Sequence, residues 1–278
     1  MKKRFMRIIM WSGILSLLWT SSTLAATSTN IDVPGAIFTA PNGINERGQI
    51  VGSYSDDIGE HGFLLDKGAF TTIDVPGASR TSAGGINDQG QIVGSYRNST
   101  GIHGFLLNKG AFTTINVPGA STASPFGIND QGQIAGAYLN STGVHGFLLN
   151  KGAFTSIDVP GASFTAAWGI NGQGQVTGTY FNSTGTHGFL LNKGTFTTID
   201  ASIVTEARGI NDRGQIAGLY FNGANVHGFL LDRGTFTTID LPGAVLTEAF
   251  GVNNRGQIVG IYAADEDGGL HFHGFALF

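Results

Sequence analysis

The chain has no cysteine among its 278 residues, so disulfides, thiolate nucleophiles and thiolate metal sites are all closed to it. Proline is scarce, at seven, and charged residues make up only 12%. Beyond residue 26 there is no run of basic residues, which argues against nucleic acid or anionic lipid as a partner. No stretch there keeps a helical period over ten residues. The sole long apolar run, Ile8 to Trp19, falls short of the ~20 residues that span a bilayer. No Gly-x-Ser-x-Gly elbow and no recognisable metal or cofactor motif occurs, so no cofactor is expected.

Lys2, Lys3, Arg4 and Arg7 precede the apolar run, and Thr23-Leu24-Ala25 follows it with small residues at the −3 and −1 positions. Residues 1–26 therefore read as a secretory signal cleaved near Ala25/Ala26, leaving a secreted or periplasmic protein. The remaining chain holds 11 Lys and Arg against 19 Asp and Glu, a formal net charge of −8.

What is abundant is repetition. Gly-Ile/Val-Asn begins at Gly43, Gly85, Gly127, Gly169, Gly209 and Gly251, and His-Gly-Phe recurs from His61 to His273 in step with it. Of 44 glycines, 34 fall at six positions of the repeat, so they mark architecture rather than chemistry. A period near 42 matches a four-stranded propeller blade and exceeds a β-helix coil. In the second copy, Ser82–Asn87, Gln91–Tyr96, His103–Leu107 and Ala111–Val117 read as four strands, divided by Asn, Asp and Gly turns.

The last copy stops after its third strand at Phe278, while Asn30 to Gly35 has the sequence of a fourth strand with no copy before it. The expectation is an all-β, six-bladed propeller over 27–278, four antiparallel strands per blade, closed by the N-terminal strand. A membrane barrel is excluded because runs of five to seven residues are shorter than the ~9–11 that spanning strands need.

The recurring Gly-Ile-Asn-x-x-Gly-Gln-Ile-Val-Gly-x-Tyr followed by His-x-Phe-Leu resembles the HAF-repeat family of bacterial extracellular repeat proteins. The resemblance covers essentially all of 27–278. It differs in one place, since every copy has Gly where the family has Ala in His-Ala-Phe. The resemblance implies export and a repetitive β fold, and it carries over no catalytic residue.

A residue that recurs in all six copies reads as scaffold, so six of the seven histidines are assigned a structural hydrogen-bonding role. The Asn-Asp-Gln-Gly segments lack the dense oxygen ligands of calcium loops and read as turns. Asn98, Asn140 and Asn182, each in Asn-Ser-Thr, read as polar loop residues. The sixth copy alone carries a four-residue insertion, in which Asp265, Asp267, His271 and His273 form a weak metal candidate.

Variation inside so regular a pattern marks a site or neutral drift. One residue before each Gly-Ile/Val-Asn stand Asn42, Gly84, Phe126, Trp168, Arg208 and Phe250; three before stand Ala40, Ser82, Ser124, Ala166, Glu206 and Glu248. Strand alternation puts both sets on one face, and topology puts the insertion on the same side of the ring. Phe126, Trp168, Glu206, Arg208, Glu248 and Phe250 are therefore the candidate ligand-binding residues at the channel mouth. The leading reading is an extracellular binding module for a carbohydrate, a wall component or a protein. The alternative is a polysaccharide-active hydrolase or lyase using Glu206 and Glu248 as an acid/base pair.

Overall fold

The computed structural model describes residues 27–278; the signal-peptide reading falls on residues 1–26, outside the described residues. Every regular element is a β-strand, and no helix among the described residues is long and apolar enough to cross a membrane. In the second repeat the strands are Arg80–Ile86, Ile92–Asn98, Gly101–Asn108 and Ala111–Ile115. They pair consecutively and antiparallel. The fourth strand is shorter than the sequence suggested, ending at Ile115; the next residue, Asn116, places its side-chain Oδ1 3.0 Å from His103 Nδ1.

The same meander recurs at 38–73, 122–157, 164–199 and 204–239. In the sixth repeat, Ala244–Val252, Ile258–Glu266 and Gly269–Leu277 pair in order, and the fourth strand is Ser28–Ile31, in register from Ser28↔Leu277 to Ile31↔Gly274. Single parallel bridges such as Glu60↔Arg80 and Ile102↔Thr122 join the third strand of a repeat to the first of the next.

Third and fourth strands are joined by two-residue turns. Lys109 (φ 50°) and Gly110 (φ 81°) both take positive φ, the geometry of a type I′ hairpin that suits the right-handed twist of paired strands. The insertion in the sixth repeat adopts the same device at Asp267 (φ 52°) and Gly268 (φ 79°). It thereby lengthens its hairpin into two nine-residue strands.

The apolar core lies between repeats rather than within them. Val51 of the first repeat packs with Ile73, Val75, Ala83, Ile86, Ile92 and Phe105 across the junction with the second. The last and first repeats meet in the same way, with Ile31, Val259 and Ala276 against Ile44, Ile50 and Phe63. The His-Gly-Phe phenylalanines, among them Phe63, Phe105 and Phe275, are fully buried, so truncating one to Ala would cost about 3–5 kcal/mol.

Each repeat's first strand faces its counterpart in the next repeat at close range. A Cβ on Gly85 would lie 2.5 Å from the carbonyl oxygen of Phe126, and one on Gly169 would lie 2.5 Å from that of Arg208. Glycine there lets the first strands converge.

Outside this core, each repeated histidine sits in one hydrogen-bonded column. His145 stacks on Tyr138 (5.2 Å between centroids), its Nδ1 lies 2.6 Å from Asp158 Oδ1, and its Nε2 lies 2.8 Å from Thr142 Oγ1. The contacts tie the second, third and fourth strands together, which is a scaffold role.

Candidate functional site

Each first strand carries a β-bulge at the same place. In the second repeat Ala83 pairs with Gly94 and Gly85 with Val93, which leaves Gly84 unpaired between them. The register shifts identically around Asn42, Phe126, Trp168, Arg208 and Phe250. A bulge re-aims the extra side chain. The six residues directly before Gly-Ile/Val-Asn are thus the bulge residues, and all six line one cavity of about 320 Å³. Simple strand alternation, which would give positions one and three before the motif equal standing, is overridden by the bulge. Of the third-before residues only Ser82 reaches the cavity wall.

The cavity is lopsided. On one side Phe126 and Trp168 meet at 4.2 Å between ring centroids, and the Arg208 guanidinium lies 4.0 Å from the Trp168 centroid and 5.4 Å from that of Phe250. Trp168 Nε1 donates to Thr179 Oγ1 at 3.0 Å, which fixes the indole plane. On the other side the wall is Asn42, Gly84, Ser82, Ser53 and Ser95. Asn42 donates through Nδ2 to the carbonyl of Ala83 at 2.9 Å, so its side-chain oxygen remains an acceptor. Ser53 and Ser95 stand on second strands opposite Ala40 and Ser82. Sequence reading missed both serines, whose signal was available, because third-repeat Ala137 and sixth-repeat Ile261 occupy the equivalent position.

Glu206 and Glu248 do not line the cavity. Arg208 Nη2 stands 2.5 Å from Glu206 Oε2, while Arg208 Nε is shut from solvent without an acceptor. The carboxyl of Glu248 is pushed above the usual carboxylate range, chiefly by burial; the neighbouring Arg208 charge opposes this and Glu206 adds to it. The arrangement is one cation between two carboxyls, held against an aromatic wall.

The metal candidate is not assembled. His273 engages Asp32 at 3.0 Å and Glu266 at 3.4 Å, while His271 lies across the hairpin from Ala264 and Asp265 from Leu270. The alternation of the two strands separates these groups, and no cluster of three His, Asp or Glu suited to a metal occurs among the described residues. The inserted hairpin extends from the expected end of the molecule, but its ring contact is outward, from Phe272 to Phe38 of the first repeat at 6.0 Å. It supplies no wall of the cavity.

At the far end of the first strands the residues are uniform. Asn45 Nδ2 donates to the carbonyl of Asn87, Asn87 to Asn129, Asn129 to Asn171, Asn171 to Asn211, Asn211 to Asn253, and Asn253 back to Asn45. All six side chains are buried.

No family model matches the chain, and no curated protein is similar to it. Solved structures are. A gluconolactonase from Xanthomonas campestris superposes with a TM-score of 0.58 at 12% identity, over 91% of this chain and 89% of that one. The fold is propeller-type. A regucalcin, a calcium-binding protein from Agrobacterium tumefaciens, gives 0.57 at 15% identity over 93% and 95%. A streptogramin B lyase gives 0.52 at 14% over 91% and 97%. Identities this low speak for the fold alone, since one propeller architecture hosts many unrelated sites.

Proposed function

We propose that residues 27–278 form a closed six-bladed propeller, exported from a bacterial cell, that binds a sugar ring or a similar polyhydroxylated group of a glycan or wall component in the cavity at its axis. Six equivalent meanders, the antiparallel pairing of Ser28–Ile31 with Gly269–Leu277, and the asparagine relay that returns from Asn253 to Asn45 support closure. The resemblance to HAF-repeat proteins and the composition of residues 1–26 support export.

The observation that carries the ligand reading is the lopsided lining. Phe126, Trp168 and Phe250 offer flat apolar faces for the C–H face of a sugar, and Asn42, Ser53, Ser82 and Ser95 opposite offer hydroxyl and amide groups. A cavity of about 320 Å³ is in the small-molecule class. Trp168 is the one tryptophan outside residues 1–26, so it reports on the site directly. In a glycan screen, a bound sugar is expected to change Trp168 emission, and Trp168→Ala to weaken binding by about 1 kcal/mol or more. A sugar that binds tightly, leaves the emission unchanged and tolerates the substitution places the site elsewhere.

Closure has its own test. Deleting residues 27–33 removes the strand opposite Gly269–Leu277, together with buried Ile31 and the Asp32 partner of His273. The melting temperature should fall by about 10 °C or more, given several kcal/mol lost from a domain of this size; a melt within a degree of the parent excludes the closing role.

A second reading, hydrolase or lyase chemistry, draws on Glu248. A buried carboxyl whose pKa is raised, chiefly by burial, beside an Arg–Glu pair is the kind of group that serves as a general acid. Turnover of a polysaccharide that is lost in Glu248→Gln while binding persists would favour it.

A further inference from the structure

We propose that the cavity is a blind pocket that takes the terminal ring of a glycan chain and excludes the chain's interior. The proposal rests on the sugar reading and on the six-repeat ring described above.

The axis narrows at the glycines of the six Gly-Ile/Val-Asn motifs, all of which border the cavity. A Cβ built on Gly43 would lie 3.1 Å from the Cα of Gly85, one on Gly127 3.2 Å from that of Gly169, and one on Gly251 3.3 Å from that of Gly43. Consecutive glycines are thus no farther apart than paired strands, about 5 Å. In a ring of six, the centre lies as far from each corner as neighbouring corners lie from one another, so this backbone stands about 5 Å from the axis. Carbon atoms in contact already need ~3.5–4.0 Å. A single file of atoms fits through such a ring, and a six-membered sugar ring with its hydroxyls does not.

The next residues along, Ile44, Ile86, Ile128, Ile170, Ile210 and Val252, border this cavity and also a smaller one of about 130 Å³ on the side of the asparagine relay. They separate the two. No aromatic side chain among the described residues borders the smaller cavity, so the surface on which a sugar would stack ends at the constriction.

At its other limit the wall stops at Ser53, Ser82, Ser95 and Pro125. No residue of the links between repeats, or of the turns between second and third strands, borders the cavity. It is therefore open toward the links and shut toward the relay. A chain held by an internal ring continues in two directions and needs a groove or tunnel with two exits. This cavity has one exit of sugar width. Its volume, about 320 Å³, stands at the lower end of the range for small-molecule sites, which suits a single ring rather than a chain doubled back on itself. A terminal ring needs only the one exit.

Trp168 emission provides the readout. The probes are linear oligosaccharides of glucose and of N-acetylglucosamine, from one to about six rings, together with cyclic glucans, which have no ends. A further set of the linear chains has the reducing end opened to the alditol or the non-reducing end methylated. Linear chains are expected to change the emission, with a dissociation constant per chain that levels off by about three rings. Capping one of the two ends should raise that constant about tenfold or more, and the sensitive end names the terminus that is read. Cyclic glucans should leave the emission unchanged. Cyclic glucans that bind as tightly as linear ones, chains that tolerate both caps, or affinity that climbs with every added ring overturn end recognition and leave the sugar reading standing. If no sugar alters Trp168 emission at about 10 mM, the sugar reading falls and this proposal with it.

Discussion

Two ends of the same six first strands meet two different demands. Where the strands turn back, each repeat presents Asn, and the six form one relay of buried side chains donating to the next repeat's carbonyl. Three residues earlier, at the bulge, no two adjacent repeats present the same residue, and the set runs from no side chain at Gly84 to an indole at Trp168. Identical groups are needed where each unit must satisfy its neighbour. Different groups are tolerated where the side chain points into space that no neighbour fills. The contrast explains why the cavity, rather than the asparagine relay, is the place to look for a ligand.

The contrast is most exposed to Asn171→Ala. Asn171 accepts from the backbone N–H of Gln173 and Gln175, and donates to Gln175 Oε1 and the Asn211 carbonyl. Removing it strands several buried polar groups, and we expect about 3 kcal/mol of lost stability, seen as a melt lower by about 10 °C. If Asn171→Ala costs no more stability than Trp168→Ala, the distinction between the relay end and the cavity end collapses.

Beside the asparagine relay lies a second one, which is incomplete. Glu46 N donates to Asp88 Oδ1, Asp88 N to Asp130, Gly172 N to Asp212, Asp212 N to Asn254 Oδ1, and Asn254 N to Glu46 Oε1. The link from Asp130 to residue 172 is missing because Gly172 has no side chain to accept it. A Cβ there would approach Asp212 Oδ1 to 2.9 Å, the movable end of a side chain. Gly172→Asn is therefore expected to stabilise the protein by about 1 kcal/mol in urea unfolding, from the added bond and the lost backbone freedom. A destabilised variant would show that the relay is already strained to its limit.

Glu248 gives the smallest effect and sharpens the other end. Its carboxyl titrates above its unfolded value because burial disfavours the charge. The folded state therefore holds a proton that the unfolded state has released, and stability falls as pH rises from the ordinary carboxylate range through the raised value. Glu248→Gln should remove that part of the pH dependence and raise the melting temperature slightly at neutral pH. A variant whose stability keeps the parent's slope across that window would show that Glu248 is not the group responsible.

Much of this was legible in the residues. The repeat length and the Asn, Asp and Gly turns led to four-stranded units, and Asn30 to Gly35 was readable as a missing fourth strand because Ile31-Asp32-Val33-Pro34-Gly35 matches Ile115-Asn116-Val117-Pro118-Gly119. Position-by-position variation singled out Phe126, Trp168, Arg208 and Phe250. What failed was the reasoning about faces. Period-two alternation assigned Glu206 and Glu248 to the cavity wall, but an inserted bulge residue breaks that period, and nothing local in Ala-Trp-Gly or Ala-Arg-Gly announces a bulge. Ser53 and Ser95 were missed because they belong to the second strand, whose register against the first depends on that same bulge.

By itself, then, the sequence determined the period, the strand content and the positions free to vary, because turns and strands are set by a few neighbouring residues and by hydrophobic pattern. Only the tertiary structure decided which side chains share one cavity, that Arg208 lies between Trp168 and Phe250, and that the asparagines of six repeats form a single relay. Those relations join residues some 40 to 208 positions apart. They depend on how repeats pack against one another, which no local preference encodes.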